Sequence, residues 1–219
     1  MERLDYRFAQ PQLLEQALTH RSSGPGHNER LEFLGDGLLN FVAAKELYAL
    51  GPRQTEGELS RLRATLVCEA TLAEIARELK LGDCLRLGQG ARNSGGGRRD
   101  SILADTLEAI FGAVFLDSGF DAAAHVILHC YGDRIGQLPP PESLKDPKTR
   151  LQEYLQARRL ALPEYTVLEI TGVEHDQHFR VGCRVANVED LFIGEGYSRR
   201  EAEQSAAAAA IDTITMRKE

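Results

Sequence analysis

Apolar and polar positions follow two different periods along this chain, and the change falls at a proline-rich stretch, Gln137–Pro147 (QLPPPESLKDP). Before it, apolar residues recur every three to four positions, the spacing of helices with one buried face. Pro11 suits the first turn of a short helix through Leu18. Longer helices are expected at Glu29–Leu50, Glu58–Leu79, Asp100–Leu116 and Asp121–Tyr131, with Gly51-Pro52 and Gly82-Asp83 ending the first two. Gly88–Arg99 (GQGARNSGGGRR) reads as a flexible glycine-rich loop, and it lacks the G-x-x-x-x-G-K-[ST] order of a phosphate-binding P-loop.

After the prolines the period shortens to two. Phe179, Val181, Cys183 and Val185 alternate with Arg180, Gly182 and Arg184, a strand with one buried face. Strands are also expected at Tyr165–Thr171 and Leu191–Gly196, between a helix at Lys148–Arg159 and an alanine-rich helix that Ser198 caps and that runs through Ile214. The predicted architecture is an all-α domain over residues 1–136, an extended linker over 137–147, and an α+β domain of α-β-β-β-α order over 148–217.

Composition fits a soluble cytoplasmic protein: 27% of residues are charged and 42% hydrophobic. No stretch reads as a signal peptide or approaches the roughly 20 apolar residues of a membrane span, so no membrane partner is expected. Cys68, Cys84, Cys130 and Cys183 show no C-x-x-C spacing and read as reduced, mostly buried thiols. The net charge of −7 is unevenly placed: Lys145–Glu219 holds 11 basic and 13 acidic residues, a balance of −2, which leaves −5 for the helical part. Bound divalent cations would neutralise much of that excess, so the acidic balance does not exclude a nucleic-acid partner.

Five carboxylates interrupt two of the apolar helices: Glu29, Glu32 and Asp36 in one, Asp105 and Glu108 in the other. Acidic side chains are seldom buried unless they are paired or bind metal. With about 100° of turn and about 1.5 Å of rise per residue, the first three share one face and the other two lie side by side. Like charges so spaced weaken a helix by roughly 0.2–0.5 kcal/mol each, and an oxygen-only set suits Mg²⁺ or Mn²⁺ rather than zinc. Ion pairing to Arg30, Arg61, Arg63 or Arg99 explains any one carboxylate as well, but not both clusters together.

NERLEFLGD (Asn28–Asp36), EGELSRLRATLV (Glu56–Val67) and DTLEAIFGAVFLD (Asp105–Asp117) carry a resemblance to the bacterial ribonuclease III family that covers nearly the whole chain. The resemblance implies a dimerising helical endonuclease domain followed by a double-stranded-RNA-binding domain. It also implies Mg²⁺-dependent cleavage of double-stranded RNA, with Mn²⁺ able to substitute, leaving 5′-phosphates, 3′-hydroxyls and short 3′ overhangs. Processing of ribosomal RNA precursors and of some messenger RNAs would be its task. By position, Glu32, Asp105 and Glu108 match the family's metal ligands and Asp36 its essential aspartate. Glu108 and Asp36 would arrange metal and attacking water. Glu29 and Glu56 match acidic positions that act in cleavage or organise the site. Glu29 and Asp36 lie about 10 Å apart along the helix axis, so Glu32 with Asp36 is the better-spaced pair. Glu29 then reads as structural, paired with an arginine across the dimer. His20, His27, His125 and His129 read as structural or surface residues.

The second domain resembles a double-stranded-RNA-binding domain at KTRLQEYLQ, GVEH and SRREAEQSAA, which makes Gln152, His175, Arg199 and Arg200 the expected RNA contacts. Gln152 and His175 would reach successive minor grooves, and the two arginines the intervening phosphates. Three positions depart from the family pattern: Glu201 is acidic where basic residues are frequent, Tyr197 replaces a small residue, and Gly37 stands where Ser or Ala is common. The competing reading is a non-catalytic double-stranded-RNA-binding protein with the same fold, which would be expected to lose the carboxylates that this chain keeps.

Overall fold

The computed structural model describes residues 2–173 and 176–216. The chain divides into two compact units, Met1–Glu142 and Ser143–Glu219.

The first unit is helical. Its described helices are α1 (Pro11–Ala17), α2 (Glu29–Leu50), α3 (Glu56–Val67), α4 (Glu69–Glu78), α5 (Gln89–Asn93) and α6 (Asp100–Tyr131). The central element is α6, with Leu107, Ile110, Phe111 and Ile127 fully enclosed by α1, α2 and α4. By length and composition α6 could cross a bilayer, yet its apolar surface is spent on this core. Gly119 adopts φ 81°, ψ −173° and breaks the helix in two, at the gap expected between Leu116 and Asp121. Left-handed φ costs glycine little because it has no Cβ.

Two expectations are corrected here. The helix expected over Glu58–Leu79 is two helices, because Cys68 is extended (φ −73°, ψ 152°) between α3 and α4. No glycine or proline marks the break. In a continuous helix the carbonyls of Thr65 and Leu66 would accept from residues 69 and 70. Instead Thr65 accepts from the Thr71 hydroxyl at 2.8 Å, and Leu66 from the buried Tyr131 hydroxyl at 2.9 Å. The glycine-rich segment Gly88–Arg99 is not an open loop: it folds into α5 and a single 3₁₀ turn, Gly96–Arg98. Its glycines serve close backbone packing; a Cβ on Gly88 would lie 2.1 Å from the Ser22 carbonyl oxygen.

The second unit comprises α7 (Pro147–Ala157), β1 (Glu164–Thr171), β2 (His178–Arg184), β3 (Leu191–Gly196) and α8 (Arg199–Met216). The strands form one antiparallel sheet in the order β1-β2-β3. Cys183, Val185 and Phe192 point into a core with Leu151 and Leu155 of α7 and Ala206, Ala207 and Ala210 of α8. The alanine run lets α8 lie against β3 so closely that a Cβ on Gly194 would stand 2.1 Å from the amide nitrogen of Ala206. Asp146 caps α7 by accepting from the amides of Lys148 (2.8 Å) and Thr149 (3.4 Å). All four cysteines are free, and only Cys130 and Cys183 are buried; Cys68 and Cys84 are exposed, contrary to the expectation for most of them.

Candidate metal centre and RNA-binding face

The helices α2 and α6 cross at two glycines that the sequence reading passed over. A Cβ on Gly35 would stand 1.8 Å from the carbonyl oxygen of Glu108, and one on Gly112 would stand 2.2 Å from that of Leu31. Only hydrogen side chains let the backbones touch there. Glu32 lies one turn before Gly35 and Asp36 directly after it; Glu108 lies one turn before Gly112, with Asp105 beside it. The crossing therefore carries both acidic clusters to one place.

Ligand oxygens of Glu32, Asp105 and Glu108 all lie within 4.8 Å of one another, and the three side chains are half-buried. Burial, and then the charges of Asp36, Asp105 and Glu32, push the Glu108 carboxyl up to about 8. Burial also raises Glu32, with Asp105 and Glu29 adding to it, and raises Asp105, with Glu69 adding to it. Glu69, the first residue of α4, is a further carboxylate whose charge reaches Asp105 and that the sequence pattern did not single out. Its only local signal was an acidic residue next to an unmarked helix break.

The remaining acidic positions are placed differently. Asp36 stands outside the trio: it is exposed, and the Asn40 side chain donates to its carboxylate at 2.7 Å. Its charge is nevertheless the largest among the neighbours acting on Glu108. Glu29 pairs with Arg21 of its own chain at 3.4 Å and approaches His27 Nδ1 at 3.7 Å, so its arginine comes from the preceding turn. Glu56 is exposed on α3 and accepts from Ser60 at 2.7 Å. A cavity of about 520 Å³ opens beside the trio, lined by Arg21, Asn28, Glu29, Glu32, Arg99 and Asp105. Asn28 there is 2% exposed, and its Nδ2 has no partner among the described residues. His20 accepts from the Ser22 amide through Nδ1 and caps the short turn Arg21–Ser23.

In the second unit, Gln152 is exposed on α7, and Arg199 and Arg200 are exposed at the start of α8. Arg199 donates to Glu203 at 2.9 Å, and Lys148 donates to the same carboxylate at 2.6 Å. These bonds, Lys148's first, hold the Glu203 carboxyl below its ordinary range. Arg200 has no such partner among the described residues. His175 lies outside the described residues. The acidic Glu201 is accounted for locally: its carboxylate accepts from the Tyr197 amide at 2.9 Å, while the Ser198 hydroxyl accepts from the Glu201 amide at 3.1 Å. This is a reciprocal helix cap.

Both units match known families. A family model described as ribonuclease-III-like matches residues 10–135, and a double-stranded RNA binding motif model matches residues 147–214. Ribonuclease 3 of Alkalilimnicola ehrlichii is 60% identical over 206 residues, covering 94% of this chain and 90% of that one. The nuclease domain of ribonuclease III from Campylobacter jejuni has been solved twice. One structure, concerned with flexibility in a region involved in dimer formation, is 44% identical with a TM-score of 0.58, over 59% of this chain and 91% of that one. The other is 42% identical with a TM-score of 0.60, over 63% and 95%.

Proposed function

The chain belongs to the ribonuclease III family, and from that premise we propose that it is a Mg²⁺-dependent endonuclease for double-stranded RNA acting as a cytoplasmic homodimer. Residues 1–136 form the nuclease domain, 137–147 the linker, and 148–217 the RNA-binding domain. The observation that carries the reading is the trio Glu32, Asp105 and Glu108, with ligand oxygens within 4.8 Å of one another.

The donor set fits a hard divalent cation. It is made of oxygen alone, and burial, with the crowded charges adding to it, already pushes Glu108 up to about 8, a penalty that a bound cation offsets. Glu32, Asp105 and Glu108 would hold the ion, with Mn²⁺ able to replace Mg²⁺. When bound, it supplies Lewis-acid stabilisation of the phosphate and a lower pKa for water. Asp36, exposed and fixed by Asn40, orients the attacking water by accepting its hydrogen bond. The new P–O bond forms as the bond to the 3′-oxygen breaks and that oxygen takes up a proton. The products are a 5′-phosphate and a 3′-hydroxyl.

Dimerisation explains how both strands are cut. Along α2, Phe33 (83% exposed), Gly37, Phe41 and Tyr48 fall within about 80° of helix surface, adjacent to the carboxylate face. A second copy covering this apolar stripe places two trios around one duplex, one per strand, with the stagger that leaves short 3′ overhangs. Gln152, Arg199 and Arg200, with His175 from the connection between β1 and β2, read the A-form duplex by shape. The natural substrates on this reading are structured precursors of ribosomal RNA and some messenger RNAs.

The test is Glu108→Gln with a long RNA duplex. The variant is expected to bind RNA with near-normal affinity and to leave it uncut in Mg²⁺. Normal turnover by the variant would overturn the assignment.

A further inference from the structure

The strip of surface between β2 and the start of α8 is not used by any residue assigned so far. Phe179 pairs with Gly196 in the sheet, so His178 and Tyr197 lie side by side. Their rings meet edge to face, with centroids 5.5 Å apart at 81°. Tyr197 is 72% exposed, so its ring is open to a ligand on this surface. On one side of it is the connection between β1 and β2, and on the other are Arg199 and Arg200. On the proposed function both segments contact RNA, which puts the ring beside the path of the duplex.

The backbone here is held in place. Glu201 accepts from the Tyr197 amide, Ser198 accepts from the Glu201 amide, and a Cβ on Gly196 would come within 2.7 Å of the Glu201 side chain. The ring is thus fixed at its amide and braced by His178, leaving the phenol free to point outward. A phenol is a neutral donor with two ring faces. It can hydrogen-bond a phosphodiester oxygen without releasing a counterion, unlike an arginine.

We propose that Tyr197 is an additional RNA-contacting residue of this domain, donating its hydroxyl to the phosphate backbone, and that Glu201 is its positioning residue. The proposal rests on the duplex-RNA reading of this unit. It gives the two departures from the family pattern one purpose: the acidic residue that forgoes a phosphate contact holds a tyrosine that makes one.

The test uses the full chain without divalent metal, so that a short RNA duplex stays uncut, and measures affinity by fluorescence anisotropy across a salt series. Tyr197→Phe is expected to weaken binding about three- to tenfold, the range of one net hydrogen bond, with an unchanged salt slope. Arg200→Ala should lower the slope by about one, which shows independently that the domain binds RNA through phosphates. Glu201→Ala and Glu201→Gln both remove the charge, but only Gln keeps an acceptor for the Tyr197 amide. Glu201→Ala should therefore bind more weakly than Glu201→Gln, and the difference should vanish in a Tyr197→Phe background. Thermal melting of each variant establishes that it is folded. Tyr197→Phe binding as tightly as the parent, while Arg200→Ala does not, would overturn the proposal and leave the ring as packing or a protein contact.

Discussion

Glu108 shows what one residue's surroundings do to its chemistry. Its carboxyl is shifted from an ordinary 4.5 up to about 8, first by burial and then by three neighbouring carboxylates. A group whose folded pKa lies above its unfolded value stabilises the fold below the unfolded pKa, and that contribution is lost as pH rises through the folded one. The metal-free protein should therefore melt at progressively lower temperature between about pH 5 and 9. Glu108→Gln should flatten that decline and be the more stable form at the alkaline end. Calorimetry of both proteins in chelator is the measurement; parallel curves would count against the shifted carboxyl. The acidic residues and their helical spacing were legible in the sequence. The family resemblance set Asp36 apart from the trio, but helical spacing did not, because spacing along one helix says nothing about where the second helix lies.

At the scale of elements, the decisive contact is the crossing of α2 and α6. A glycine inside a helix costs about 0.5–1 kcal/mol relative to alanine, and Gly35 and Gly37 look equally wasteful in the sequence. The structure separates them: a Cβ on Gly35 would collide with the Glu108 carbonyl, whereas one on Gly37 meets nothing within 4 Å. Gly35→Ala is expected to lose about 1–3 kcal/mol or more in urea melts and to weaken divalent-metal binding, because the helices must part. Gly37→Ala should gain about 0.5–1 kcal/mol if the crossing is the reason for the difference. Equal effects at the two positions would refute it. The break at Cys68 was missed for a related reason. Tyr131, distant in sequence, takes the carbonyl that a continuous helix would have used, and no local signal announces a partner 65 residues away.

For the whole molecule, the exposed stripe on α2 and the paired chemistry on duplex strands belong together. Phe33→Glu places a charge at the most exposed side chain of that stripe. It should shift the protein toward monomer in sedimentation experiments and reduce double-strand cleavage, while the melting of the isolated fold changes by less than about 1 kcal/mol, as for an exposed position. A dimer of unchanged strength would move the interface elsewhere.

Hydrophobic period, caps and turn residues determined the two kinds of domain, the three strands, most of the helices and the two acidic clusters, while the family resemblance supplied the candidate RNA contacts. These are local properties, set by neighbours within a turn or a strand pair. Only the tertiary structure decided that Gly35 and Gly112 bring the carboxylates together, that Glu29 pairs within its own chain, and that Glu201 holds Tyr197. Each depends on which backbone approaches which, and how closely, and a one-dimensional pattern does not carry that distance.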